Sequence, residues 1–214
     1  MQIEIFSDVI CPWCFIGKKR LDNALVSELD EDVVLRWLPY MLYPKLPVEG
    51  INRQEFLTRR YGDTADPGRI PERIRIEAEG EGIELRFDLI GRTPNTMLAH
   101  RLMEFAHTLG RQHDLAERLF QAYFCEGKDV GDIDELVKQG AEIGLPAADI
   151  SSYLSGEEGL AEVTSQLQRA PELGVSGVPG YYLADAFLLP GAQTSETMLQ
   201  IIRRVRTRIA NRHE

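Results

Sequence analysis

Three cysteines in 214 residues are too few for a disulfide framework, and two of them fall in one four-residue motif. No apolar run approaches the roughly 18 residues needed to cross a bilayer. Basic residues are also scarce, 24 against 34 acidic ones, which leaves a formal net charge of −10. Nucleic-acid binding depends on clustered Lys and Arg, so that balance argues against it. The one basic cluster, Arg203, Arg204, Arg206 and Arg208, follows an amphipathic pattern and reads as a solvated helix face. A basic-then-apolar leader is missing too. The chain opens directly on a strand pattern, which points to the cytoplasm. It shows neither an internal repeat nor a low-complexity linker.

What the chain does have is Cys11-Pro12-Trp13-Cys14, placed after the apolar run Ile3-Glu4-Ile5-Phe6 and before a segment patterned as a helix. A strand that delivers a Cys-x-x-Cys to a helix start has a specific chemical use. The first cysteine meets unpaired backbone N–H groups and the positive end of the helix dipole, which favour a thiolate with a pKa below the free value of about 8.5. The second lies one turn on, close enough to form a disulfide with the first or to resolve a mixed one. A structural zinc site would need four ligands. Cys125 is isolated, and His100, His107 and His113 fall on different turns, so no metal is expected.

Residues 1–7 read as a buried strand, 15–29 as a helix and 33–38 as a second strand, a βαβ unit whose strands run parallel. Pro39, Pro44, Pro47 and Gly50 then mark an exit from that layer. The long middle stretch reads as almost wholly helical. Helix starts are expected at Asn52, Pro71, Thr93-Pro94, Asp132 and Ser155, with stops at Gly110 and Gly127. Leu98, Leu102, Ala106 and Leu109 form one apolar stripe, and Leu115, Leu119, Ala122 and Tyr123 the next. After Gly174 come a loop, two short strands (181–184 and 186–189) and a last helix from about Thr194, with Met198, Ile202, Val205 and Ile209 on one face. The expected fold class is therefore α/β, with a βαβ…ββα domain (1–48 and 172–214) interrupted by a helical insertion (49–171).

The sequence resembles the DsbA-type thioredoxin-fold family, in its cytoplasmic FrnE-like branch, over nearly its whole length. The resemblance rests on Ser7-Asp8-Val9-Ile10-Cys11-Pro12-Trp13-Cys14-Phe15-Ile16-Gly17, Pro94-Asn95-Thr96, Ala99-His100-Arg101-Leu102 and Leu119-Phe120-Gln121-Ala122-Tyr123-Phe124. Gly177-Val178-Pro179 and Pro190-Gly191-Ala192-Gln193 complete it. It implies a thioredoxin fold with a helical insertion and a thiol–disulfide oxidoreductase or isomerase. In that reading Cys11 is the nucleophile, Cys14 the resolving thiol and Pro179 a cis-proline facing them. No cofactor is required. Glutathione would be a redox partner or co-substrate, and thiols or disulfides of proteins or small molecules the substrates. Relatives of the hydroxychromene-carboxylate isomerase and kappa-class glutathione transferase type usually carry serine at the position of Cys11. A glutathione-dependent isomerase or transferase is therefore the alternative.

Around the dithiol, Pro12 and Trp13 would shape the site, and the Val178 backbone would pair with an extended peptide or with glutathione. Gln193, with the N–H groups that start the last helix, would hold a carboxylate. Asn95 and Thr96 would line a roof that the insertion builds over the groove, and Gly180 would widen it. Cys125 reads as an inert small apolar residue. His100 reads as structural and Asp8 as a polar strand end. Gly174-x-x-Gly177-x-x-Gly180 lacks a Lys-Ser/Thr and a following long helix, so nucleotide binding is not expected.

Overall fold

The structure is a computed structural model that describes residues 1–26 and 33–211. Gln2–Ser7 forms β1, Pro12–Val26 forms α1 and Val34–Pro39 forms β2. The expected end of α1 at residue 29 lies outside the described residues. β1 and β2 pair in parallel, with Ile3 opposite Leu35 and Phe6 opposite Leu38, as a βαβ crossover requires. Gly180–Leu183 (β5) runs antiparallel to β1 and also to Phe187–Pro190 (β6), so the sheet order is β2-β1-β5-β6. Ser195–Ala210 (α9) packs against α1.

Between β2 and β5 lie β3 (Ile51–Asn52), α2 (Arg53–Tyr61), α3 (Glu72–Gly80), a short turn of helix at Phe87–Leu89 and β4 (Arg92–Thr93). Then come α4 (Met97–Thr108), α5 (Gln112–Phe124), α6 (Ile133–Glu142), α7 (Ala147–Ser155) and α8 (Leu160–Glu172). Asn52, Asp132 and Thr194 cap α2, α6 and α9, their side chains accepting the N–H of Glu55, Glu135 and Thr197.

Four expectations need correction. Ser155 does not open a helix. It closes α7, and α8 starts only after Gly159, whose φ of +75° suits glycine. Thr93 belongs to β4, and α4 begins at Met97, whose N–H the Asn95 side chain accepts at 3.0 Å. Leu109 leaves the apolar stripe of α4 and is exposed at its C-terminal cap. The β3–β4 ladder, Ile51 opposite Thr93 and Asn52 opposite Arg92, interrupts a region expected to be helical.

The alternation along β1 divides the core. Ile3 and Ile5 join a large cluster with Leu21 and Ala24 of α1, Trp37 of β2, Met198 and Ile202 of α9, and the buried faces of α4 and α5. Phe6 joins a smaller one with Leu38, Ala170 and Val175 on the opposite face, where Glu4 pairs with Arg169 of α8 at 2.7 Å. The large cluster crosses from the sheet into the helical segment through Phe15 of α1, stacked on Phe120 at 5.3 Å and Phe124 at 6.2 Å. Gln112 of α5 fixes the open edge of β2: its Oε1 accepts the Trp37 N–H at 2.8 Å and its Nε2 donates to the Trp37 carbonyl at 3.0 Å. The inserted helices are thereby locked to β2 and to α1, the helix that carries the dithiol.

Candidate active site

The chain turns sharply between β1 and α1. The Cys11 N–H donates to the Asp8 carbonyl at 3.0 Å, and the Cys11 carbonyl accepts the N–H of Cys14 at 3.0 Å and of Phe15 at 3.3 Å. Pro12 takes the first helical position, where a missing N–H is harmless. Cys11 therefore caps the positive end of α1, with Cys14 one turn inside it. Both are free thiols; Cys11 is 4% exposed and Cys14 1%.

Burial pushes the Cys14 thiol well above its ordinary range, reinforced by the hydrogen bond and charge of the adjacent Cys11. The Ser7 hydroxyl and the Asp8 backbone oppose that shift without overcoming it. Although the Ser7 oxygen has no geometrically complete hydrogen bond, it is near enough to this sulfur to influence it. Behind the thiols lies Tyr181 of β5, 2% exposed, whose phenol is pushed far up by burial and then by Cys14 and Cys11.

The Val178–Pro179 peptide bond is cis. The Cys11 thiol donates to the Val178 carbonyl at 3.7 Å, so that acceptor is engaged in the reduced protein. The Pro179 carbonyl accepts the Gly191 N–H at 2.7 Å, tying this loop to the end of β6. A Cβ on Gly180 would meet Val175 at 3.2 Å and Leu188 at 3.8 Å. Its vacancy therefore faces the smaller core cluster and does not widen a groove at the dithiol.

Asp8 is fully buried and is more than a strand end: its Oδ2 accepts the Leu42 N–H at 2.7 Å. His100 of α4 reaches the same corner, donating from Nε2 to the Tyr40 carbonyl at 3.1 Å, with Asp8 Oδ1 at 3.7 Å. The pair pins residues 40–42 beside the Cys11 turn.

Other expected site residues are occupied elsewhere. The Asn95 amide donates to the Leu46 carbonyl at 2.9 Å, Thr96 is buried at the start of α4, and none of their hydrogen bonds reaches the dithiol. Gln193 donates to the Pro190 carbonyl at 2.7 Å, and the start of α9 is capped by Thr194. Cys125, half-buried at the end of α5, has its thiol pushed up by burial and by Glu126, Glu117 and Glu84. Among the described residues no group of three or more His, Cys, Asp or Glu could hold a metal ion, and no helix is long and apolar enough to cross a membrane.

The structure adds a cleft of about 530 Å³ beside the motif, lined by Ile10 and Pro12 on one side. Tyr43, Phe56, Tyr61, Phe87 and Tyr123 supply its aromatic wall, and Arg53 and Arg69 its cations. Trp13, next to Pro12, carries the Arg73 guanidinium 5.3 Å above its ring. Pro12 and Trp13 were expected at the site; sequence reading missed the others because they come from α2, α3, α5, the turn of helix at Phe87–Leu89 and the flanking loops, and no local pattern unites them.

Comparison with known proteins bears on the fold and the family. The Bacillus subtilis protein YwbO is 30% identical over 193 residues, covering 90% of each chain. The crystal structure of a probable DsbA oxidoreductase from Streptomyces coelicolor superposes with a TM-score of 0.82 at 27% identity, over 95% of this chain and 89% of that one. The cytosolic disulfide reductase DsbM from Pseudomonas aeruginosa, solved with GSH, shares the fold at a TM-score of 0.67 and 17% identity, over 99% of this chain and 98% of its own. The profile of the DSBA-like thioredoxin domain matches residues 2–203, nearly the whole sheet-and-helix framework. The chain belongs to that family.

Proposed function

We propose that the protein is a thiol–disulfide oxidoreductase of the cytoplasm, with Cys11 as nucleophile and Cys14 as resolving thiol. The observation that carries this reading is the asymmetry of the pair. Cys11 caps the positive end of α1 and touches the Val178 carbonyl, whereas Cys14 is a deeper thiol held protonated by burial. The Cys11 thiolate attacks one sulfur of a substrate disulfide, forming a Cys11–substrate disulfide and expelling the other sulfur as a thiolate. Cys14 then gives up its proton to that thiolate or to water, attacks Cys11 Sγ and releases the second substrate thiolate. Two electrons pass to the substrate, and a Cys11–Cys14 disulfide remains. Run backwards, the same steps oxidise a substrate dithiol.

Once Cys11 loses its proton or enters a mixed disulfide, the Val178 carbonyl gives up its thiol donor and can accept from a substrate N–H. Glutathione has the backbone for that contact, and the GSH-bound DsbM supports it as a redox partner here. A glutathione-dependent isomerase or transferase would use the same loop, yet it has no need for a buried second thiol behind the first. The redox reading therefore stands ahead of it.

Replacing Cys14 with Ala removes the resolving step, so Cys11-linked mixed disulfides should accumulate on incubation with oxidised glutathione or a cysteine peptide disulfide. Mass spectrometry would locate the adduct. Adducts on Cys125 with Cys11 unmodified would sink the assignment.

A further inference from the structure

The arginines of this acidic protein are distributed unevenly. Among the described residues up to Glu172, nine of the fourteen arginines have a carboxylate within 4.0 Å, from Arg20 with Glu77 and Glu81 to Arg169 with Glu4. The exceptions are Arg53, Arg60, Arg69, Arg73 and Arg101. Arg101 is accounted for: its guanidinium donates to the carbonyls of Tyr153, Leu154, Gly156 and Glu158 at 2.6–3.2 Å. The other four all stand at the cleft beside the dithiol. Arg53 and Arg69 line it directly. Arg60 stacks on Tyr43 and Tyr61, two of its wall residues, at 5.4 and 5.6 Å. Arg73 stacks on Trp13 at the Pro12 edge.

With 34 acidic against 24 basic side chains, carboxylates are in excess. Among the described residues Arg204 and Arg208 also lack one, but they stand exposed along α9; the four gathered at one concavity mark a place where an outside anion is accommodated. Stacking on aromatic faces fits that role, because it positions a planar guanidinium while leaving N–H donors for a carboxylate. Arg53 is held in this way, 5.1 Å from the Phe87 ring, with only its Nε spent on the Pro67 carbonyl at 3.1 Å. One lining carboxylate, Asp66, opposes them. Its Oδ1 accepts the Gly68 N–H at 2.9 Å, and the cleft remains cationic in sum. The volume of about 530 Å³ lies within the range of small-ligand sites.

We infer that this cleft selects the substrate, favouring a thiol or disulfide whose sulfur-bearing group carries a carboxylate beside an aromatic or aliphatic body. The inference rests on the dithiol reading of the proposed function and names its substrate class. The aromatic wall takes the apolar body, Arg53 and Arg69 take the carboxylate, and Pro12 marks the edge where the substrate sulfur turns toward Cys11.

The test uses the reduced full-length protein in a Cys125→Ser background. Oxidation by dithiobis(nitrobenzoate), an aromatic carboxylate disulfide, is compared with oxidation by neutral dithiodipyridine. Each rate is divided by that of 2-mercaptoethanol with the same probe. The Arg53→Gln, Arg69→Gln double variant should lose about tenfold with the anionic probe and no more than about twofold with the neutral one. The wild-type preference should shrink as salt rises. A second arm compares peptide disulfides carrying Glu-Phe or Lys-Phe beside the cysteine. A Glu preference that the double variant abolishes supports a peptide substrate, and a preference confined to the aromatic probe supports a small-molecule one. Equal losses with both probes and no Glu preference would overturn the inference while leaving the redox function standing. Rates no faster than 2-mercaptoethanol with every probe would instead bring down the redox function itself.

Discussion

The two halves of α1 divide the work of the helix. Its first turn, Pro12 to Phe15, carries no charged side chain at all, and the dithiol there sees backbone dipoles, an aromatic cluster and one carbonyl. The next turns are crowded with charge, all of it paired. Lys18 reaches Asp22 at 2.7 Å and Glu117 at 3.0 Å, and Lys19 reaches Glu117 at 2.5 Å. Arg20 bonds Glu81 at 2.7 Å, Glu77, and the Ala192 carbonyl at 2.8 Å. His113 closes the set on Asp22 at 2.8 Å. These ion pairs clamp α1 to α3, to α5 and to the loop before α9. An unneutralised cation one turn nearer would act directly on both sulfurs and blur the difference between them. Within α1 the cations are compensated and lie further along. The uncompensated arginines of the cleft come from other elements and are not among the main groups that shift Cys14, so helix start and burial set the two thiols apart.

The comparison breaks first, and by the largest factor, if Cys14 is not held protonated. With burial pushing that thiol well above its ordinary range, its thiolate is scarce near neutrality and limits resolution of the mixed disulfide. Decay of a preformed Cys11–substrate disulfide should accelerate about tenfold per pH unit between pH 6 and 8, as the thiolate fraction grows. Rapid-quench mass spectrometry would follow it. A rate independent of pH over that interval would mean the thiolate is already abundant, and the contrast between the cysteines would collapse.

The charged half should answer to stability and leave exchange chemistry alone. The Lys18 side chain is 4% exposed, and its partners Asp22 and Glu117 are 29% and 21% exposed. Lys18→Ala should therefore cost about 2 kcal/mol, below the value for a fully buried pair because water reaches both carboxylates. Burial raises the pKa of Asp22, but the His113 bond and Lys18 outweigh it and hold the carboxyl below its ordinary 3.8. Glu117 is likewise held below 4.5, burial being outweighed by Lys19 and Lys18. A depressed carboxylate stabilises the fold above its unfolded pKa, and that contribution is lost as pH falls through the folded value. The difference between wild type and Lys18→Ala in urea unfolding should thus be full at pH 6 and close below about pH 4. A difference that persists at pH 2 would show that lost packing of the lysine stem, not charge, explains the cost.

That division of α1 was half legible in the sequence. The dithiol turn could be read because strand, Cys-x-x-Cys and helix are contiguous, and the caps at Asn52, Asp132 and Thr194 because each lies three residues from the N–H it accepts. Ser155-x-x-Glu158 carried the same local signature but fell at a helix end, where the two glycines 156 and 159 decide the path. β3 and β4 have two residues each, too few to show a period. The role of Asp8 and the partner of the structural His100 stayed hidden because the groups they bond, the Leu42 N–H and the Tyr40 carbonyl, are backbone groups over 30 positions away. The cleft was hidden for a deeper reason. An arginine lacking a carboxylate is defined by its neighbours in space, and composition alone cannot tell Arg53 from Arg20.

Gly17, at the seam between the two halves, gives the smallest and sharpest comparison. By helix propensity alone, Gly17→Ala should stabilise the protein by about 1 kcal/mol. A Cβ at this position would lie 2.3 Å from the Tyr181 hydroxyl, 3.0 Å from Pro179 Cγ and 3.4 Å from Ala192 Cβ. The Tyr181 ring is buried and its oxygen has no hydrogen-bond partner, so it has little room to give way. Overpacking of this kind costs about 1–3 kcal/mol, which should turn the expected gain into a net loss of about 1 kcal/mol. Tyr181→Phe removes the obstructing oxygen together with an unpartnered buried polar group, so alone it should be neutral or mildly stabilising. Combined with Gly17→Ala it should recover most of the loss, a coupling that a double-mutant cycle in urea reads directly. Simple additivity of the two substitutions would mean that the phenol swings aside. Gly17 would then be present for some reason other than the close approach of α1 to β5.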